Sequence, residues 1–271
     1  MNRRQAINLV TFAGASGIMG FIEPMGSNHH SKKNSVKNNV SNMKTIGILG
    51  GFGPQATMDF EKRLHNVAQQ LIAADINSGY PTMIVHYHRH PPICLSDEQK
   101  PIFPLRPDPR LLESARRIGA MVDFLLIPSN GIHAMQKEIE QAANRKILSM
   151  IDVTLEEIKS KKWKKVGLIC FMNNNVYLNP LREMGISCEI IEDRLQQNLD
   201  RAIMKLMEGG ETDIDKETAL KAVNFLRSKN VDGIIPGCTE IPLLLGKNME
   251  YPDLINPAQL LAEAAIRYSI S

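Results

Sequence analysis

Asp123-Phe-Leu-Leu-Ile-Pro-Ser129-Asn130 and Asp232-Gly-Ile-Ile-Pro-Gly-Cys238-Thr239 read as copies of one another. Each runs from an aspartate through an apolar core to a proline, and each delivers a hydroxyl or thiol six positions after the aspartate. A short apolar run closed by proline has the pattern of a strand buried on both faces, because proline cannot donate to a ladder and so marks its end. Open α/β folds bind ligands in the crevice beyond the carboxyl ends of such strands. The spacing therefore places Ser129 and Cys238 at that crevice as candidate catalytic groups. A serine there can equally cap the next helix, and a cysteine can be a small buried hydrophobe.

The duplication extends outward. Val166-Gly-Leu-Ile-Cys170 echoes Ile46-Gly-Ile-Leu-Gly50 at an offset of 120, while Cys238 echoes Ser129 at an offset of 109. Such a repeat predicts an α/β protein of two similar lobes, each a mainly parallel sheet flanked by helices, with the site in the cleft between them. The expected division is a tail at 1–42, a first lobe at 43–155 and a second at 156–271, with the last helix packing back on the first lobe.

The first strand leads into Gly50-Gly51-Phe-Gly53-Pro54 and a helix expected over 55–75. Gly51 and Gly53 permit a tight turn and a close approach of backbone to ligand, and Pro54 suits a first helical turn. The spacing is neither the nucleotide-kinase type nor G-x-G-x-x-G, and a carboxylate is as good a guest for exposed amides as a phosphate. A second strand at 82–87 opens into His88-Arg89-His90-Pro91-Pro92. Arg89 or Arg106 is placed to clamp a substrate carboxylate. His86, His88 and His90 alternate but lack a carboxylate or cysteine partner, so no metal is assigned. Residues 93–108 read as a proline-bearing loop. Helices are expected from about Asp108 to Gly119, from Ser129 to Ala143, over 153–158, 195–207 and 217–228, and finally over 258–268. The segment Asn173–Tyr177 is expected to open the helix after the fourth strand.

The totals describe a globular chain: 43% hydrophobic, 23% charged, net charge +3. The first 42 residues carry +4, which leaves −1 on the remainder. A nearly neutral body without a zinc finger, basic helix or aromatic ladder gives no reason to expect nucleic-acid binding. The four cysteines are scattered, with no C-x-x-C pair, so Cys238 is available as a thiol. Arg3-Arg4 before a short apolar run resembles a twin-arginine export signal, residues 26–42 read as a polar linker, and Met43 stands where the folded pattern begins. Export and a cytoplasmic location are both compatible with this.

Two proton-transfer groups on opposite lobes can face the two sides of one carbon. Thiolate suits the base role, whereas the Ser129 hydroxyl needs activation, for which His133 is the neighbouring candidate by sequence. Ile46-Gly-Ile-Leu-Gly-Gly51-Phe-Gly-Pro-Gln-Ala-Thr57 and Gly237-Cys238-Thr239-Glu240-Ile-Pro-Leu-Leu resemble the opening and second-cysteine motifs of the aspartate/glutamate racemase family. Pro128-Ser129-Asn130-Gly131-Ile132-His133 is similar to its first-cysteine segment, and the resemblance covers residues 44–268. It implies a two-lobed fold, often a homodimer, and racemisation of aspartate or a related acidic substrate without a cofactor. On that basis Gly51, Gly53, Asn130, Thr239, Glu240, His133 and Arg89 are substrate-binding candidates beside Cys238 and Ser129.

The departures matter too. The first family cysteine falls on Ser129. Positions that are charged in aspartate-racemising relatives correspond to Ser96, Asn179 and Asn256. Three readings follow: an amino-acid racemase, a one-directional isomerase or malonate-type decarboxylase that protonates through Cys238, and a non-catalytic small-acid binding protein.

Overall fold

A computed structural model describes residues 43–72, 79–98, 100–172 and 176–271. The tail at 1–42 and Asn173, Asn174 and Asn175 lie outside these, as do the export reading and the helix start expected at 173.

The first sheet is built from β1 (Ile46–Gly50), β2 (Met83–Tyr87) and β3 (Phe124–Leu126), all parallel in the order β2-β1-β3. The second is built from β4 (Lys165–Ile169), β5 (Ser187–Ile190) and β6 (Gly233–Pro236), parallel in the order β5-β4-β6. Each gains a fourth parallel rung at the same place, Leu125 with Ile147 in one and Ile234 with Leu254 in the other. The two lobes therefore have the same topology, as the repeat predicts. The aspartates that open the duplicated stretches do the same work in both. Asp123 Oδ2 accepts from the amide of Thr45 at 2.6 Å, and Asp232 Oδ2 accepts from the amides of Lys164 and Lys165 at 2.7 and 2.9 Å. Each ties the foot of its strand to the foot of the central one.

Both sheets are covered on both faces. In the first, Ile46, Ile48, Phe124 and Leu126 pack against α1 (Pro54–Leu71) and α9 (Pro257–Ser269). Alternation sends Leu49, Leu125 and Ile127 to the other face, onto α2 (Pro109–Gly119) and α3 (Gln136–Ala143). In the second, Ile169 and Ile234 meet α6 (Asp193–Met207), α7 (Asp213–Arg227) and the short α8 (Ile241–Leu245). Val166, Leu168 and Ile235 meet α4 (Met150–Ser160) and α5 (Leu178–Glu183).

The connectivity is crossed. Helix α4 leaves the first sheet and lays Ile151 and Ile158 on the second, while α9 leaves the second and lays Leu261, Ala262, Ala265 and Ile266 on the first. The division expected between 155 and 156 falls inside α4. The starts of these helices again match, since Ser149 Oγ accepts from the Asp152 amide at 3.2 Å and Asn256 Oδ1 from the Gln259 amide at 3.2 Å. Such N-caps satisfy amides that the helix itself cannot.

Several boundaries differ from the expectation. Helix α4 begins three residues before 153 because Ser149 caps it. The helix expected from Ser129 begins instead as a 3₁₀ turn, Gly131–Met135, and becomes α-helical only at Gln136. Residues 93–108 are more than a loop: Ile93 bridges Pro107 and Leu95 bridges Pro101 in antiparallel fashion.

Leu261 is fully buried against the first sheet, so Leu261→Ala is expected to cost about 2–5 kcal/mol, read as a lowered midpoint of urea unfolding. A loss below about 1 kcal/mol would show that α9 contributes little to that sheet.

Candidate active site

The turn after β1 is held by Thr57. Its hydroxyl accepts from the Gly51 amide at 3.0 Å and donates to the Gly53 carbonyl at 3.1 Å. Gly51 has φ +91°, and a Cβ there would lie 2.6 Å from the His88 carbonyl oxygen, so both conformation and space demand glycine. At Gly53 a Cβ would overlap Glu240 Oε1 of the second lobe. The glycine turn thus carries a lobe-to-lobe contact as well as the start of α1.

Beyond β6, Cys238 is half-buried and donates from Sγ to Glu240 Oε2 at 3.0 Å. Thr239 Oγ1 donates to the same oxygen at 3.1 Å. Burial, then the Glu240 charge, pushes the Cys238 thiol well above the ordinary cysteine value. Burial also raises Glu240, although the two hydrogen bonds it accepts favour its charged form. At neutral pH Cys238 is therefore a thiol, not the thiolate that a helix start or a nearby cation would generate. The negative partner is two residues away, and α8 is a short helix that starts at Ile241.

On the first lobe, the half-buried Ser129 follows β3, and Asn130 is buried. Asn130 Oδ1 accepts from the Tyr177 hydroxyl at 2.6 Å, which fixes the amide's orientation across the lobes. Its Nδ2 is buried without an acceptor among the described residues. The Tyr177 ring also reaches the Gly237 position, where Cδ2 lies 3.6 Å from an ideal Cβ. This ring joins the turn that carries Ser129 to the one that carries Cys238.

His133 does not have the role expected of it. Its Nδ1 donates to the Ser129 backbone carbonyl at 2.8 Å, and its Nε2 accepts the Met150 amide at 3.0 Å. Both ring nitrogens are occupied, so His133 is placed neither to activate the Ser129 hydroxyl nor to hydrogen-bond a substrate. It pins the Ser129 turn to the start of α4, and burial lowers its pKa. Arg89, the expected carboxylate clamp, lies just after β2. It is exposed, with its guanidinium 5.7 Å from the centre of the Tyr87 ring, and Tyr87 in turn donates to Glu61 on α1. Arg106 is exposed, and its backbone carbonyl accepts from the Cys94 amide. His88 is buried, with Nδ1 3.0 Å from Ser114 Oγ. Among the described residues no group of three His, Cys, Asp or Glu side chains is placed to hold a metal.

The structure thus brings Gly53 to Glu240 and the Ser129-Asn130 turn to Tyr177 beside Gly237, at the ends of the two sheets, with Arg89 exposed just beyond β2. Thr57 and Tyr177 shape the site without having been singled out as site residues. The first is legible only as a hydroxyl one turn into a helix after glycines, and the second has no local signal.

A family model described as Asp/Glu/Hydantoin racemase matches residues 49–265. The chain belongs to the Asp/Glu/Hydantoin racemase family. As a member it is a cofactor-independent racemase or isomerase of small acids. Among curated proteins it is 25% identical, over 233 residues, to the broad specificity amino-acid racemase RacX of Bacillus subtilis (strain 168), covering 82% of this chain and 96% of that one. Its fold is shared with Picrophilus torridus aspartate racemase at TM-score 0.68 and 22% identity, over 83% of this chain and 94% of that one. It is shared also with an aspartate racemase homologue from Pyrococcus horikoshii OT3 at TM-score 0.63 and 22% identity, over 84% and 99%. Among the described residues no helix is long and apolar enough to cross a membrane.

The His133 geometry gives a signed pH dependence. A buried neutral ring with a depressed pKa stabilises the fold fully above about pH 6.5, the unfolded histidine value, and that stabilisation is lost as pH falls toward the folded value. His133→Gln is expected to cost about 1–3 kcal/mol at pH 7.5. The gap from the parent should narrow in urea melts at pH 5.5, whereas a gap independent of pH would contradict the neutral, doubly bonded ring.

Proposed function

We propose that the chain racemises an α-amino acid without a cofactor, removing and returning the α-proton between Cys238 on one face and Ser129 on the other. The observation that carries this reading is the Cys238 thiol donating to buried Glu240 at the end of β6. Glu240 is placed to take the thiol proton when Cys238 must act as a base, and to leave it on sulfur when Cys238 must act as an acid. The orphaned Asn130 Nδ2 supplies a donor for the substrate carboxylate, whose negative charge grows as the α-carbon is deprotonated. The Gly51–Gly53 turn, whose Gly51 amide is held by Thr57, and the Thr239 segment border the same space.

The Ser129 side is the weaker one. With His133 occupied, the serine hydroxyl has no general base among the described residues, so it donates a proton more readily than it removes one. That asymmetry favours a second reading, in which the site works in one direction, as an isomerase or a decarboxylase with Cys238 delivering one stereospecific proton. Aspartate itself, the substrate implied by the resemblance, would need its second carboxylate met by a cation. The three corresponding positions offer none: Ser96 Oγ accepts from the Lys100 amide, Asn179 Oδ1 from Arg182, and Asn256 caps α9. A homodimer and a small carboxylic or amino acid as ligand belong to the same proposal.

Deuterium wash-in at the α-carbon tests it. Cys238→Ala is expected to lower exchange by about 100- to 10,000-fold with an unchanged unfolding midpoint, and unchanged exchange would rule out both enzymatic readings. Ser129→Cys is expected to raise exchange from the enantiomer that presents its proton to the first lobe. No gain there, with carbon dioxide released from substituted malonates, would favour the one-directional reading.

A further inference from the structure

The Ser129-Asn130 turn is held twice from the start of α4, and the two holds converge on one residue. The first runs through His133, whose Nδ1 donates to the Ser129 carbonyl and whose Nε2 accepts the Met150 amide. The second runs through Tyr177, whose hydroxyl lies 2.6 Å from Asn130 Oδ1 and 3.4 Å from Thr154 Oγ1. Thr154 Oγ1 in turn donates to the Met150 carbonyl at 2.7 Å. Asn130, Thr154 and Tyr177 are all buried, so this second hold is shielded from water.

The distances decide which end of the Asn130 amide faces the phenol. Thr154 has spent its one proton on Met150, so toward Tyr177 it can only accept. Tyr177 keeps its own proton, because burial raises its pKa. That proton goes to the nearer of the two acceptors, Asn130 Oδ1. A separation of 2.6 Å is ordinary for O–H···O and short for N–H···O, which clusters at about 2.7–3.2 Å. With the amide turned round, Nδ2 would have to donate to the phenol at that separation and the phenol to Thr154 at 3.4 Å, a poorer pair of bonds. The tyrosine therefore holds Asn130 by its carbonyl oxygen. The end left over is Nδ2, buried without an acceptor among the described residues.

We propose that Tyr177 is a positioning residue: by holding Asn130 Oδ1 it commits the free end of that amide to donating, toward an anionic group of the ligand. The inference rests on the amino-acid racemase reading and adds to it a residue from the other lobe. A donor fixed before the reaction needs no reorganisation as charge grows on the substrate carboxylate, so its loss falls on turnover more than on ground-state binding. Released from the phenol, the amide would turn round in a fraction of molecules and present an oxygen, which repels that charge.

The experiment is a double-mutant cycle read by α-proton exchange in deuterium oxide, with whichever of alanine, methionine, lysine and aspartate the parent exchanges fastest. Tyr177→Phe is expected to lower kcat by about ten- to a hundredfold and to change KM less than about threefold. In an Asn130→Ala background the same change is expected to cost less than about twofold, because a residue that acts through Asn130 has nothing left to hold. Asn130→Asp keeps an acceptor for the phenol but offers no donor, and is expected to lose as much exchange as Asn130→Ala. Losses that multiply in the double variant would overturn the proposal, as would a Tyr177→Phe protein of parental rate or an Asn130→Asp protein that still exchanges. Should the parent exchange none of these amino acids, the racemase reading falls, and the hold itself is decided by heteronuclear NMR. The Asn130 side-chain amide, identified as the pair of signals that Asn130→Asp removes, should exchange with water at least about tenfold faster in Tyr177→Phe. Equal exchange in parent and variant would show that the phenol does not hold it.

Discussion

Each lobe of this protein is finished by a helix that begins in the other half's neighbourhood, and this exchange fixes the cleft. Helix α4 emerges from the first sheet and seals the second, while α9 emerges from the second and seals the first. Neither sheet can bury its inner face without the other lobe's contribution. The lobes are held at a separation where Gly53 meets Glu240 and Tyr177 reaches Asn130. Groups on two turns, more than a hundred residues apart in the chain, thereby face one another with little freedom to drift. Proton transfer at carbon needs that positional constraint.

Within the cleft the decisive physics is how much a buried charge costs. Glu240 is removed from water and accepts side-chain hydrogen bonds from Cys238 and Thr239. A carboxylate in that state holds a neighbouring thiol in its protonated form, because a second negative charge beside it would be severely destabilised. In the proposed reaction Cys238 is held as an acid and becomes a base by passing its proton to Glu240 along the contact it already makes. The opposite lobe has no equivalent. Ser129 carries a hydroxyl of much higher intrinsic pKa, and the His133 imidazole is spent on backbone groups. The two faces of the site are therefore chemically unequal although the folds that present them are alike.

Much of the architecture was legible in the sequence because strand burial and repeat spacing are one-dimensional signals. The duplicated apolar runs marked β3 and β6, and their prolines marked where the chain turns into the cleft. The aspartates ahead of them were visible as a shared feature, but their bonds to the foot of the neighbouring strand depend on pairing across 78 and 67 residues. The start of helix α4 is hidden because Met150 and Ile151 continue the apolar run of the preceding strand, whereas the helix is opened by the Ser149 hydroxyl. The antiparallel pairing in 93–108 escaped because prolines break any alternation there. At the candidate site, the motifs around Gly51, Asn130 and Cys238 mark the turns that the fold brings to the sheet ends. His133 was misjudged because four residues along the chain suggested a bond to the Ser129 hydroxyl, while the 3₁₀ turn delivers the ring to the carbonyl instead. The direction of the Cys238 shift was not legible at all, since it depends on burial and on which side chain of the next turn folds back.

The pairing of Cys238 with Glu240 is the claim on which the chemistry stands, and the pH dependence of Cys238 alkylation, followed on its own peptide by mass spectrometry, tests it most directly. Alkylation of the parent protein should rise with a midpoint well on the alkaline side of an ordinary cysteine, and Glu240→Gln should move that midpoint down. A midpoint at or below the ordinary thiol value, or one indifferent to the loss of the carboxylate, would contradict it.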